Sequence, residues 1–330
     1  VVTSAHLSAV AQHLPQLCSG VKKWLMTESN RANFDDYEQC LKQYPPHNLA
    51  EQPEGTFMLY SSGTTGRPKG IYKPLIDHDI SEGKGPIGEL QKALWQFDEN
   101  TVYLSPAPLY HSAPIGFCTA VIALGGTVVM MPKFAEEAAL QAIEKYQITH
   151  SQWVPTMFNR LLKLDKAIRN KYDLSSMQKA IHAAAPCPKG IKQKMLDWWG
   201  PIIYEYYGGT ELNGFTHVTP QAWQQYPGTV GQAILGTLHI CDESGAELPV
   251  GESGIVYFEL PQMPFEYLKD KDKTKSAQHP VHKNWSALGD VGYVNEEGYL
   301  FLTDRATFMI ISGGVNIYPQ EIEDALIMHP

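Results

Sequence analysis

From Thr56 to about Ile203, short apolar runs of strand period alternate with longer runs of helical period. The strand-like runs are FMLY (57–60), TVVMM (127–131), THSQWV (149–154), AIHAA (180–184) and IIYEYY (202–207). The helical ones are EEAALQAIEKY (136–146), a run through Leu161 and Leu162, and one holding Lys192 and Trp199. That alternation predicts a mostly parallel sheet covered by helices. After Pro227 the pattern shortens to strands divided by glycine turns: GTLHICD, GIVYFEL and VGYVNEEGYLFLTD. A small antiparallel sheet or partial barrel is expected there. Residues 4–18 read as helical, and 28–54 are polar, with Pro45 and Pro46 marking a loop. The nearly uncharged stretch 114–132 is split by Gly125 and Gly126, which predicts a buried helix, a turn and a buried strand in place of a membrane span.

In the tail, FMII and VNIY flank Ser312, Gly313 and Gly314 as two short strands, and Pro319 opens the helical pattern QEIEDALIM. The expected fold class is therefore α/β. It comprises a large N-terminal domain with helix-covered mixed sheets, a small β-barrel-like part, and the start of a small C-terminal α+β domain. The boundaries read as 1–227, 228–304, a hinge at 305–307, and 308–330. The chain opens Val1, Val2 without Met and stops at Pro330 just after a helical pattern, which suggests a piece of a longer protein.

Composition narrows the class. At 330 residues the chain has room for about two domains with cores of their own. The 27 glycines and 23 prolines are dispersed, which fits neither disorder nor a fibrous repeat. A formal charge of −9 gives no overall positive field for collecting phosphate backbones, so no nucleic-acid partner is expected. Cysteines at 18, 40, 118, 187 and 241 are odd in number, widely spaced and without metal-ligand partners. They point to a reducing, cytoplasmic setting over a disulfide framework or a zinc site.

The densest chemistry is YSSGTTGRPKG (60–70), directly after a strand. Three glycines let the backbone turn its N–H groups inward, and hydroxyls with one lysine add donors and a point charge, as an oligophosphate requires. It is not a Walker A loop, because Lys69 follows Pro68 and precedes Gly70. A shorter fragment of it would read as an ordinary surface turn.

This string resembles the phosphate loop of the adenylate-forming superfamily of acyl-CoA synthetases, peptide-synthetase adenylation domains and luciferases. Downstream, in the family's order, come PLYHSAPIG (108–116), AAAP (183–186), YEYYGGTE (204–211), GTVGQ (228–232), WSALGD (285–290), Asp304 with Arg305, and SGGVNIYPQEIE (312–323). The resemblance covers 56–330 and is nearest to AMP-forming acyl-CoA synthetases of the fatty-acid type.

The resemblance implies ATP-dependent conversion of a carboxylic acid to acyl-AMP, then transfer to coenzyme A, with Mg²⁺ assisting. Loading a carrier protein shares every visible motif; a binder of nucleotide or acyl-adenylate without turnover is the other alternative, against which the intact phosphate loop, Glu211 and Asp290 speak. Ser61, Ser62, Gly63, Thr64, Thr65, Gly66 and Lys69 would hold pyrophosphate. Thr210, reached through Gly208, would bond the α-phosphate, and Glu211 would hold Mg²⁺, a hard ion suited to carboxylate oxygen. Asp290 would grip the ribose diol, with Arg305 on ribose or phosphate. Ala184, Ala185 and Pro186 would border adenine, with Tyr207 stacked on it.

His111 would border the acyl carboxylate; taken alone, such a histidine is more often a core or surface residue. The apolar stretch 115–124 with Trp153, Val154 and Pro155 would line an acyl pocket, or simply be core. No carboxylate near His111 is placed to pair with a substrate amine, which disfavours the amino-acid-activating branch. Gly313 and Gly314 would leave room for the pantetheine thiol after domain rotation. Two departures stand out: Thr307 occupies a hinge position where many relatives have Lys or Asp, and the distal catalytic Lys would lie beyond residue 330, so the chain alone should be impaired in adenylation. A homodimer and peripheral membrane contact are left open.

Overall fold

A computed structural model of the chain describes residues 1–28, 33–61, 68–75, 78–80, 86–305, 310–312, 315–317 and 326. It divides into two compact units, Val1–Pro53 and Glu54–Pro330. The first begins with β1 (Val2–Ser4), a 3-10 turn at Ala5–Leu7, α1 (Ser8–Ala11) and α2 (Leu14–Leu17). It continues with β2 (Leu25–Thr27), β3 (Asp35–Asp36) and α3 (Tyr37–Leu41). Its strands pair in parallel around Ala11, Met26 and Phe34. The continuous helix expected over 4–18 is broken at Pro15, which sits in the first turn of α2; its ring and missing N–H forbid an unbroken helix through that point.

In the second unit β4 (Leu59–Ser61) and β5 (Lys69–Tyr72) form a hairpin, followed by α4 (Pro86–Trp95). Then come β6 (Val102–Ser105), α5 (Ser112–Ala123), β7 (Thr127–Met130), α6 (Glu136–Tyr146), β8 (His150–Trp153), α7 (Pro155–Leu162) and α8 (Lys166–Arg169). Next are β9 (Lys179–His182), α9 (Lys189–Trp199), β10 (Ile203–Tyr207), β11 (Phe215–Val218), α10 (Pro220–Gln225) and β12 (Gln232–Leu235). The elements start where local chemistry says they should. Pro155 and Pro220 open their helices at the first turn, and the Thr219 hydroxyl accepts the Ala222 N–H as a cap. The stretch 114–132 folds as α5, a glycine turn and β7.

These strands make one seven-stranded sheet, ordered β12-β11-β10-β9-β8-β6-β7. The five from β10 to β7 are parallel, and β11 and β12 add antiparallel at one side. Strand alternation sends Leu104, Trp153, Ala180, Ile203 and Val218 to one face, where residues of α6, α7, α9 and α10 bury them. Tyr103, Ile181 and Tyr206 go to the other face, under Trp95 and Phe97 and under Phe117 and Val121 of α5. The helices after β6 and β8 thus leave the sheet on opposite faces. A crevice is expected at such a topological switch, beyond the carboxyl ends of those two strands.

The remaining strands are β13 (Thr237–Cys241), β14 (Gly254–Glu259), β15 (Glu266–Tyr267), β16 (Trp285–Val294), β17 (Leu300–Arg305), β18 (Ile310–Ser312) and β19 (Val315–Ile317), with α11 at Lys271–Ser276. An antiparallel sheet β13-β14-β16-β17 closes over Val230, Ile240, Val256, Phe258 and Leu300, and β15 joins the hairpin as β15-β5-β4. The fold is thus α/β, with a helix-covered mixed sheet and a smaller all-antiparallel one. Of the tail helix expected from Pro319, only Leu326 lies within the described residues.

The α4/α5 face encloses two histidines. Burial pushes His150 and His217 down to about 4, although the Trp95 carbonyl, accepting from His150 Nε2 at 3.0 Å, pulls the other way. Unfolded, each titrates near 6.5, so above that pH their contribution to stability is full, and it is lost as the pH falls through 6.5 towards 4. The loss amounts to about 3 kcal/mol each. Urea unfolding from pH 7.5 to 4 should therefore show a steep fall. Replacing His217, whose Nε2 is buried without a hydrogen-bond partner, by Phe should flatten it; an unchanged slope would refute the assignment.

Candidate active site

The hairpin β4–β5 carries the two ends of the hydroxyl-and-glycine loop, with Ser61 and Lys69 opposite each other in the ladder. Ser62, Gly63, Thr64, Thr65 and Gly66 lie outside the described residues. β15 pairs with the hairpin's inner strand, Tyr267 opposite Ile71, and sets the Tyr267 ring 5.8 Å from the Lys69 ammonium. The Tyr267 hydroxyl donates to Glu211 Oε1 at 2.8 Å. The base of the loop is therefore tied through one tyrosine to a carboxylate from the seven-stranded sheet.

Glu211 stands at the end of the link Gly208, Gly209, Thr210 that leaves the carboxyl end of β10. Gly209 packs closely there: a Cβ would meet Leu288 Cδ1 at 2.2 Å and Glu211 Oε2 at 3.0 Å, so a side chain would have to push the Leu288 methyl aside. Leu288 belongs to β16, so the link lies against the strand that presents Asp290. Tyr207, the last residue of β10, donates its hydroxyl to Asp290 Oδ2 at 2.7 Å. Glu211 and Asp290 are 8% and 7% exposed. Buried carboxylates carry a desolvation cost that donors or cations must offset, and here tyrosine hydroxyls face both. Asp290 lies inside β16, just after Gly289 and just before a register shift, with Arg305 as its backbone partner in β17.

Two residues at this site, Lys73 and Tyr267, escaped notice in the sequence. Lys73 is half-buried within electrostatic reach of Glu211; burial pulls its ammonium pKa down while Glu211 opposes the shift. Strand period was the available signal, since 69, 71 and 73 alternate onto one side of the hairpin strand. Tyr267, in contrast, comes from a two-residue strand and carried no local signal.

The other candidates sit farther along the same sheet edge. Residues 183–186 leave the carboxyl end of β9, beside β10; Ala184, Ala185 and Pro186 are exposed, and Ala184 holds φ +75°, a left-handed backbone costly for a residue with a Cβ. His111 is the extended residue before α5, exposed, its ring 4.5 Å from that of Tyr110. Three strand spacings separate β6 from β10, or about 14 Å. His111 belongs to the segment that leaves the carboxyl end of β6. Thr307, Gly313 and Gly314 lie outside the described residues.

On the α9 face of the sheet, two residues before Tyr207, lies a buried charge cluster with no local signature in the sequence. Lys192 of α9 donates to Glu205 Oε2 at 2.5 Å, and His182 Nε2 lies 3.3 Å from the same oxygen. Burial pushes the Glu205 carboxyl up and the Lys192 and His182 cations down, while mutual attraction of Lys192 and Glu205 resists the first two shifts. Lys192 also faces the Trp223 ring at 4.9 Å. Glu205 is two residues before Tyr207, so the cluster anchors the strand from which the link departs.

Comparison with known proteins identifies the family of the chain. Residues 2–268 match the AMP-binding enzyme family. The match begins well before the motif-rich region, at residue 2. The chain is 30% identical over 305 residues to a probable CoA ligase, CCL5, of Humulus lupulus, covering 89% of this chain and 53% of the relative. It is 30% identical over 318 residues to the long-chain-fatty-acid–CoA ligase of Bacillus subtilis, covering 90% and 53%. The chain thus spans about half the length of these curated relatives. Among solved structures, the amide bond synthetase McbA of Marinactinospora thermotolerans superposes with a TM-score of 0.80 at 26% identity, over 100% of this chain and 64% of that one. The chain belongs to the AMP-binding enzyme family.

Proposed function

We propose that the protein activates a carboxylic acid with ATP, forming acyl-AMP and pyrophosphate, and then passes the acyl group to the thiol of coenzyme A, releasing AMP. The observation that carries this reading is the continuous connection from the phosphate-loop hairpin to two buried carboxylates, Lys69 to Tyr267 to Glu211 on one side and Tyr207 to Asp290 on the other. A carboxylate is a poor acyl donor because oxide would have to leave; the anhydride with AMP supplies a better leaving group, but two anions must first be brought together. Positive and hydrogen-donating groups at one place lower that barrier. In this reading Lys69 and the 61–66 loop take the β- and γ-phosphates, Thr210 the α-phosphate, and Asp290 and Arg305 the ribose. Ala184, Ala185, Pro186 and Tyr207 border adenine, and His111 the acid's carboxylate.

Mg²⁺ suits the donor set. Among the described residues no three His, Cys, Asp or Glu side chains converge to cage an ion, but Mg²⁺ commonly takes only one or two carboxylates plus phosphate oxygens. Glu211 would hold it, and when bound it would offset phosphate charge. The uncharged helix α5, the relative named for long-chain fatty acids and the relative named as a CoA ligase favour an acid with an apolar tail and a thiol acceptor. Domain rotation about 305–307, with Gly313 and Gly314 admitting the thiol, belongs to the same proposal.

The test is exchange of labelled pyrophosphate into ATP by the full-length protein over a panel of aliphatic, aromatic and steroidal acids, followed by acceptor assays with coenzyme A, a carrier protein and simple amines. Acid-dependent exchange and thioester formation are expected. ATP binding with no exchange for any acid would replace the enzyme reading by that of a nucleotide binder. Transfer to amines alone would replace the thiol.

A further inference from the structure

At the crevice expected from the sheet's topological switch, exposed residues stand above a buried layer. The exposed ones are His111 before α5 and the Ala184 to Pro186 link after β9. One row below, in register with Ala183, Tyr206 of β10 projects onto the α5 face of the sheet. Its ring is stacked on Phe215 at 4.7 Å and on Phe117 of α5 at 6.0 Å, at interplanar angles of 13° and 20°. Its hydroxyl accepts from Gln152 Nε2 at 2.9 Å, in the row beneath β8's carboxyl end. Phe117, Tyr206 and Gln152 are all at least nine-tenths buried. Three stacked rings bridging helix and sheet, one of them pinned by a buried hydrogen bond, leave nothing soft to swing aside. Buried aromatic pairs of this kind hold each other beyond their area, and the amide would lose its partner if the tyrosine turned away.

The depth follows from helix geometry: from His111 to Phe117 the axis advances six residues, or about 9 Å. That is the reach of one aromatic ring with a short spacer, or of roughly eight carbons in a chain.

Resting on the function proposed above, we infer that the acid is compact and that Tyr206, braced by Gln152 and Phe117, is the residue that sets its length. A longer tail would have to displace the stack or run out into water. In either case each further methylene gains none of the burial that normally rewards length.

The experiment is the same pyrophosphate exchange assay, read as kcat/KM against straight-chain acids from four to eighteen carbons and against benzoic and cinnamic acids. The expected profile peaks at or below eight carbons, or at the single-ring acids, and falls steeply beyond. In Tyr206→Ala the ratio of kcat/KM for the twelve-carbon over the six-carbon acid should rise roughly 100-fold, the worth of a few newly buried methylenes. Tyr206→Phe, which keeps the stacked ring and drops only the Gln152 hydrogen bond, should shift the profile far less than the alanine variant does. A wild-type optimum at fourteen to eighteen carbons, or a folded Tyr206→Ala variant with an unaltered profile, would overturn the inference and leave acid activation standing. Absence of exchange with every acid would instead remove the activation reading itself. The wild-type profile decides even if the alanine variant does not fold.

Discussion

Lys192→Met is expected to cost the protein about 3–5 kcal/mol of stability at neutral pH, the usual penalty for leaving one half of a buried ion pair behind. Lys192 is 0% exposed and Glu205 4%, and the Lys192 ammonium is 2.5 Å from a Glu205 oxygen. His182, at 3.3 Å from that oxygen, adds no cation to the pair in the wild type, because burial and the Lys192 charge push its pKa down. The remaining carboxylate would escape its penalty by binding a proton. Its folded pKa would then lie above the unfolded value, so the variant should regain stability as the pH falls from 7 towards about 4.5, opposite in sign to the histidine effect. Adding Glu205→Leu should restore most of the loss, since an apolar replacement of the whole pair removes both desolvation costs. Urea unfolding of the single and double variants at pH 7 and pH 5 reads this out. A single variant within 1 kcal/mol of wild type would mean the pair carries no such weight.

That cluster shows where sequence reasoning reaches its limit. The helix over 136–146 was legible to the residue, because Glu136 and Glu137 mark its start and Ala139, Leu140 and Ile143 repeat at helical spacing. The strand AIHAA was legible as a strand, but nothing local said that His182 faces α9 while Ile181 faces α5; only the register of β9 against β8 and β10 fixes that. Glu205 and Lys192 are thirteen residues apart on a strand and a helix whose faces cannot be phased separately. Tyr267 was invisible for a similar reason: its two-residue strand exists only because β5 offers it an edge. Asp290 was singled out by its motif, yet its burial and its bond from Tyr207 depend on β10 and β16 meeting, a contact 83 residues apart in the chain. Local chemistry names such residues, and long-range pairing decides what they touch.

Asp290→Ala is the second large effect, and here the expected loss is in nucleotide binding. If the carboxylate accepts both hydroxyls of a ribose, two hydrogen bonds to a charged acceptor disappear, each worth about 1.5–3 kcal/mol, which predicts ATP and AMP binding weaker by about 100-fold or more. The protein should stay folded, because the carboxylate is a buried charge whose removal also removes its desolvation cost. Tyr207→Phe separates the two roles of this contact. It deletes the hydroxyl that reaches Oδ2 at 2.7 Å but leaves the carboxylate and the ring, so binding should weaken by less than about tenfold, the worth of one hydrogen bond that only orients the acceptor. Calorimetry with AMP, ATP and 2′-deoxy-ATP completes the argument: wild type should disfavour the deoxynucleotide, and Asp290→Ala should be indifferent to the missing hydroxyl. If Asp290→Ala binds AMP within threefold of wild type, or keeps the preference for the 2′-hydroxyl, then the ribose is held elsewhere. The Tyr207–Asp290 bond would then be a strut between β10 and β16 and no part of a nucleotide site.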